Sequence, residues 1–503
     1  MFDWLEDILN KIREMNTSID KYKKDTVIQS LPSFAYVNRA KKLIEQNYLL
    51  EAEYILNSAL SLPQEDALVY KYLGIIADKT GRKGDAIAAY KKSANINPND
   101  KDIWKQLGFA LVSSNQPEEA VESFENANKI SPMNSDVFTG WGMALLKLKK
   151  YNDAHDKFML ASKIDKYNFM AMLLAAIVEM KLKQYDEAET KLKFLSSVCP
   201  NESNTYEYAH LKYLQGDYEA SVHYAKKALT FNRNMLPAYV LLGEVYYRLN
   251  DETNSLAAYN QAFQNELVND NLYFEWGIAL QVFEKYDEAC EKFHRTLELN
   301  PIRNDAKAGL ALCAAFQGDT DTADAMLKGL EESVQKSYPA EKARGFCAMH
   351  KGDFNKAIQF FKEVLKENSF DKSLIYYIAQ SYEYLNNDVL AKEYYEKSLK
   401  ENSSYLPAYL NYAKYLINKK DYADCQRKLR RALKVDGNNP EILNLLFYVS
   451  YILVKDNVCE YNLKETLEIA DKIIALDSGA FKYPTEKDEL SVMLKNIKGD
   501  YRA

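Results

Sequence analysis

A small residue returns about every 34 positions along almost the whole chain, and this recurrence limits the fold more than any other feature. The series runs Ala52, Ala86, Ala120, Ala154, Ala188, Ser221, Ser255, Ala289, Ala323, Ala357, Ala391, Cys425 and Thr466. A second small series precedes it: Ala40, Gly74, Gly108, Gly142, Ala176, Ala209, Gly243, Gly277, Ala311, Gly345, Ala379 and Ala413, with a break at Phe447. Residues 101–134 show what surrounds each pair. Trp104, Leu107 and Leu111 share one helical face, and Ala120, Phe124 and Ala127 share another. Pro117 suits the first turn of the second helix, where a missing N–H costs nothing, and Pro132 follows where that helix must stop. Small residues facing large ones let two helices approach closely and pack densely. Each unit is therefore a helix–turn–helix hairpin, and a tandem array of them needs no single large core.

The frame starts at Ser33, Ala67, Lys101, Ser135 and Phe169, slips by one residue near Pro200, and resumes at Glu202. It continues through Leu236, Asp270, Asn304, Tyr338, Lys372, Leu406 and Pro440, which predicts thirteen hairpins over residues 33–480. The thirteenth carries about seven extra residues between its helices, around 455–464. The order of aromatic, Leu-Gly, Ala, Phe, Ala and Pro resembles the tetratricopeptide repeat. The resemblance implies an all-α fold: a right-handed superhelical solenoid of antiparallel helix pairs, with first helices lining the concave side.

Two flanking segments stand outside the frame. Residues 1–32 contain an amphipathic helix whose Leu5, Ile8, Ile12, Met15 and Ile19 form a heptad seam, suited to covering the first hairpin or to homo-oligomerisation. Residues 481–503 predict a capping helix, with Thr485 and Asp488 near its start and Leu490, Met493 and Ile497 facing the last hairpin.

A net charge of −7 over 503 residues argues against non-specific nucleic-acid binding. The N-terminus has acidic residues where a signal peptide needs basic ones, and no apolar run reaches membrane-spanning length. Six scattered cysteines without a CxxC pair read as reduced thiols in a cytoplasmic protein. No phosphate-binding glycine loop, HExxH pair or zinc-spaced Cys/His cluster occurs, so the chain reads as a non-enzyme without cofactor or metal. The basic residues Lys419, Lys420, Arg427, Lys428, Arg430, Arg431 and Lys434 read as a solvated outer face.

The resemblance places any ligand against the first helices. Repeat proteins that clamp a C-terminal carboxylate use Lys and Asn at positions five and nine. Here Lys71, Lys105 and Lys342 keep the lysine, but Ile75, Phe109 and Phe346 replace the asparagine. The asparagine ladder of O-linked sugar transferases is matched only by Asn38 and Asn411. The inner positions are apolar instead: Phe109, Met143, Leu173, Ile177, Met180, Tyr206, Tyr213, Tyr247, Phe274, Ile278, Phe346, Tyr376, Tyr377 and Tyr384. Such a lining suits a hydrophobic or amphipathic segment of a partner protein, with Glu207, Glu244, Glu275 and Glu383 favouring basic flanks. The expected role is a protein-binding scaffold. A self-assembling structural protein, or a regulatory subunit of a separate envelope or glycan enzyme, are the alternatives.

Overall fold

The structure is a computed structural model and describes residues 33–62, 65–456 and 459–500. Those residues form twenty-seven α-helices and one short 3-10 turn, with no strand among them. Twenty-six of the helices make thirteen consecutive hairpins. Hairpins 1 to 6 begin at Ser33, Ala67, Lys101, Ser135, Phe169 and Glu202, and hairpins 7 to 13 at Leu236, Asp270, Asn304, Tyr338, Ser373, Leu406 and Pro440. Hairpin 11 starts one residue later than the frame predicts. The N-terminal seam of Leu5, Ile8, Ile12, Met15 and Ile19 lies outside the described residues.

Local chemistry fixes these boundaries. The side chains of Asp66, Asp100, Asn134, Asn168 and Asn201 each accept a hydrogen bond from an N–H in the first turn of hairpins 2 to 6. Within a hairpin, one residue takes the left-handed conformation that reverses the chain. Gly81 does so at φ +77° without steric cost, and Asn115 at +58°.

The large-into-small interlock is the packing rule. Ala120 and Phe124 are fully buried. A Cβ added to Gly108 would stand 2.7 Å from the Phe124 ring, and one on Gly140 of the next hairpin 2.3 Å from it. Phe124 is thus held between its own hairpin and its neighbour. Phe293 is held in the same way between Gly277 and Gly309.

Two elements depart from the pattern. The second helix of hairpin 9, Thr320–Lys328, has only nine residues and gives way to turns after Gly329. Hairpin 13 lengthens both helices, Pro440–Asp456 and Glu460–Leu476, so its extra residues extend helix rather than forming a long loop. The last helix, Pro484–Asp500, buries Leu490 and packs Met493 and Ile497 against that hairpin. It begins on Pro484, so Thr485 is inside the helix and does not cap it.

The chain divides into two compact units, Met1–Arg233 and Asn234–Ala503. Unit 1 holds hairpins 1 to 6. Its cross-hairpin bonds join neighbours, as where Asn168 Nδ2 donates to Ser135 Oγ at 2.7 Å and to Thr139 Oγ1 at 2.9 Å. Buried Glu179 holds hairpins 4 and 5 together, with Oε1 2.8 Å from His155 Nε2 and 2.6 Å from Lys191 Nζ. Unit 2 holds hairpins 7 to 13 and the last helix, and its bonding is different.

Candidate functional site

In unit 1 the ninth residues of four successive first helices are apolar and half-buried: Ile75, Phe109, Met143 and Ile177. Their inner sides pack on the core around Phe124 and Leu192, and their outer sides remain accessible. The fifth-position lysines beside this ladder are already engaged. Lys71 Nζ is 2.9 Å from Asp100 and Lys105 Nζ is 3.6 Å from Asp136, each an aspartate at the start of the next hairpin. These lysines join hairpins and leave little charge for a ligand carboxylate. Tyr206 and Tyr213 are also half-buried, with ring centroids 6.2 and 6.4 Å from His210. Leu173 and Met180, expected in the groove, are instead buried with Leu192, Leu195 and Tyr208. Both belong to the stripe packed against the second helix of hairpin 5 and the first helix of hairpin 6, at whose margin Ile177 stays half-open.

In unit 2 the same phase leads inward. Ile278 and Phe346 are buried, as are Tyr247, Tyr376 and Tyr377, so none of the five is open to a ligand. Side chains of distant hairpins also reach one another here. Glu284, at φ +59° in the turn of hairpin 8, accepts from the Tyr377 hydroxyl at 2.8 Å and from the Tyr405 hydroxyl at 2.6 Å. Those tyrosines belong to hairpin 11 and to the start of hairpin 12. Phe370 places its ring 5.4 Å from Tyr247 of hairpin 7 and 5.6 Å from Tyr338 of hairpin 10. An aromatic column, Tyr286–Phe316–Phe346–Tyr377, runs through four hairpins with centroid steps of 3.9, 5.3 and 4.8 Å.

Charge is sealed into the same place. Lys342 and Asp371 are wholly buried and 2.7 Å apart, and the Tyr338 hydroxyl donates to Asp371 at 2.8 Å. Lys342 is therefore a structural cation rather than part of a carboxylate clamp. Burial raises the Glu284 carboxyl above its ordinary pKa, against the Tyr405 hydroxyl and the Lys342 charge. Burial also lifts the Tyr286, Tyr338 and Tyr377 hydroxyls well above theirs. The cavity left beside Glu284, Asp371, Ser373 and Tyr405 is about 210 Å³, below what a drug-sized ligand needs and far short of a peptide segment.

Two expected residues of unit 2 stay reachable. Phe274 is half-buried, with the Arg303 guanidinium 4.2 Å over its ring, and Tyr384 is 61% exposed while stacked on Phe354 at 4.7 Å. Next to Phe274, burial and the neighbouring Glu244 push Glu275 up to about 7, with Arg303 opposing. Glu383 accepts from the Tyr395 hydroxyl at 2.6 Å and Glu244 pairs with Arg248 at 3.1 Å, so neither is a bare acceptor for basic flanks. The basic stretch is largely neutralised: Lys419 pairs with Asp388, Lys428 with Glu396 and Arg430 with Glu465.

Comparison with known proteins places this geometry. Residues 49–201 match the family described as the N-terminal TPR repeats region of Psidin, and residues 236–266 and 274–337 match tetratricopeptide repeats. The chain is built of tetratricopeptide repeats. A solved neighbour of this repeat array is the APC/C hetero-tetramer Cut9–Hcn1, 14% identical, with a TM-score of 0.53 over 91% of this chain and 94% of that one. A tetratricopeptide repeat protein from Parabacteroides merdae ATCC 43184 is 17% identical over 49% of this chain and 98% of that one, with a TM-score of 0.43. Among curated proteins, human protein O-mannosyl-transferase TMTC3 is 23% identical over 288 residues. That match takes 55% of this chain and 31% of the relative, so the chain spans about a third of that protein's length. No helix among the described residues is long and apolar enough to cross a membrane.

Proposed function

We propose that the chain is a non-catalytic adaptor whose unit 1 holds a hydrophobic or amphipathic segment of a partner protein against its first helices. The half-open ladder Ile75, Phe109, Met143 and Ile177 is the observation that carries this reading. Four apolar steps on four parallel helices suit anchors spaced along one segment, and the paired lysines beside them leave the selection to apolar contact. The sugar transfer named for the mannosyl-transferase relative is not carried across, since less than a third of that protein is matched. Cytoplasmic placement belongs to the same reading, and self-association through residues 1–25 is the alternative to it. Light scattering of a chain lacking residues 1–25 tests the second, and an unchanged mass removes it.

The groove reading is tested by a photo-crosslinking side chain at Met143 or Ile177 in the full chain, followed by sequencing of the captured segment. A synthetic peptide of that segment should lose at least about tenfold in affinity for Ile177→Asp, as expected when an anchor pocket gains a charge. Crosslinks that form only from the outer helices, or a peptide indifferent to Ile177→Asp, would overturn the reading.

A further inference from the structure

Hairpins 8 and 9 meet more closely than helices of ordinary side chains can. The Phe293 ring lies where a Cβ on Gly309 would be, only 2.5 Å away. These two residues sit on the second helix of hairpin 8, Tyr286–Leu299, and the first helix of hairpin 9, Asn304–Phe316. The short link between them makes the helices antiparallel. One turn back from Phe293 is Cys290, and one turn on from Gly309 is Cys313, so both steps lead to the same end of the contact. That register brings the two thiols toward each other across the contact. With no side chain at 309 the two helices can approach closely, and close approach is what a disulfide between facing helices requires.

The surroundings fit a reactive pair. Gln281 is wholly buried, and its Nε2 donates to the Gly309 carbonyl at 2.7 Å and reaches Cys313 Sγ at 3.3 Å. Its Oε1 is buried without a hydrogen-bond partner, an uncompensated dipole at the thiol site. Cys313 is buried while Cys290 is only half-buried, so a small reagent meets Cys290 first.

We propose that Cys290 and Cys313 form a reversible dithiol–disulfide pair, oxidised by a low-molecular-weight disulfide of the glutathione class, that clips hairpin 8 to hairpin 9. The Cys290 thiolate attacks one sulfur of glutathione disulfide, forming a mixed disulfide and expelling one glutathione thiolate. Cys313 then gives up its proton to that thiolate and attacks the Cys290 sulfur, expelling the second glutathione. Two protein thiols become one disulfide, and one glutathione disulfide becomes two thiols. The adjacent Cys313 thiol lowers the Cys290 thiol below its ordinary pKa, helped by the nearby His294 and opposed by burial. The adjacent Cys290 thiol, with burial, raises Cys313. Burial lifts Cys347 to about 11 and Cys425 to about 12, so neither competes.

The test is incubation of the full chain in glutathione buffers of rising oxidised fraction, with peptide mass spectrometry. A linked peptide pair lighter by two hydrogens should join Cys290 to Cys313 and disappear on return to reduced glutathione. Initial attack at Cys290 should be about two- to fourfold faster than at half-buried Cys199 or Cys459. Cys313→Ser should stop at the glutathione adduct on Cys290, and Cys290→Ser should leave Cys313 unmodified. The proposal is overturned if the wild-type chain accumulates that adduct without closing to Cys313, or if Cys199 and Cys459 react while Cys290 does not.

Discussion

Units 1 and 2 are written in the same repeat, yet they use the inner face in opposite ways. Unit 1 leaves Ile75, Phe109, Met143 and Ile177 half-open, and its hairpins bond to their neighbours. Unit 2 buries Ile278, Leu312 and Phe346 at the equivalent position and ties hairpin 8 to hairpins 11 and 12 through Glu284. The difference comes from a few polar and aromatic groups that reach across, and hardly at all from the repeat positions themselves. A repeat array is normally a sum of nearest-neighbour terms. Unit 2 adds contacts between hairpins separated by more than 90 residues, so its hairpins should stand or fall together.

The largest break of that contrast is Lys342→Ala. It leaves Asp371 charged, buried and without its cation, which should cost about 3–5 kcal/mol. Hydrogen exchange should quicken across hairpins 8 to 12 together while unit 1 keeps its protection; a loss confined to hairpin 10 would contradict the cross-linking. Gly108→Leu is the matching change in unit 1. Driving a side chain into the Phe124 ring should cost about 1–3 kcal/mol. Here faster exchange should stop at hairpins 2 to 4.

The units should also answer pH with opposite signs. Glu275 of unit 2 titrates near 7 when folded, above the ordinary carboxylate value. Its contribution to stability is complete below about pH 4.3 and is lost as pH rises through about 7, by roughly 1–3 kcal/mol. In unit 1 the Lys212 ammonium, through a hydrogen bond, holds Glu189 below its ordinary value. That contribution is present above the unfolded pKa and lost as pH falls through the folded one. Urea midpoints followed by exchange in each unit, at pH 5 and pH 8, should show unit 2 weaker at pH 8, and Glu275→Gln should reduce the trend to the share left by Glu284, whose carboxyl burial also raises. The smallest effect is that of Tyr405→Phe, which takes one donor from Glu284 and should cost about 1–2 kcal/mol, read as a lower urea midpoint for unit 2 alone.

The helices were legible in the sequence because the interlock depends on volume at fixed spacing, and volume is written in residue identity. Gly108 against Phe124 needs nothing from outside the hairpin and its neighbour. Which inner residues stay open was not legible. Ile177 and Ile278 share a position and a side chain, yet one is half-open and the other buried, and contacts such as Glu284 to Tyr377, across 93 residues, leave no mark in the repeat pattern. The role of Lys342 was hidden for the same reason: a clamp lysine and a buried cation look alike until Asp371 is placed beside it. The pairing of Cys290 with Cys313 carried a fainter signal. Counting single cysteines by whole repeats passes over a spacing of 23 residues, which joins a second helix to the next first helix.

The Glu284 bridge has a mechanical consequence. Pulled from its ends, a stack held only between neighbours should unravel in small, similar steps, one hairpin at a time. Unit 2 has a latch across the stack. It should resist until Glu284 lets go of Tyr377 and Tyr405, then release several hairpins of slack in one event.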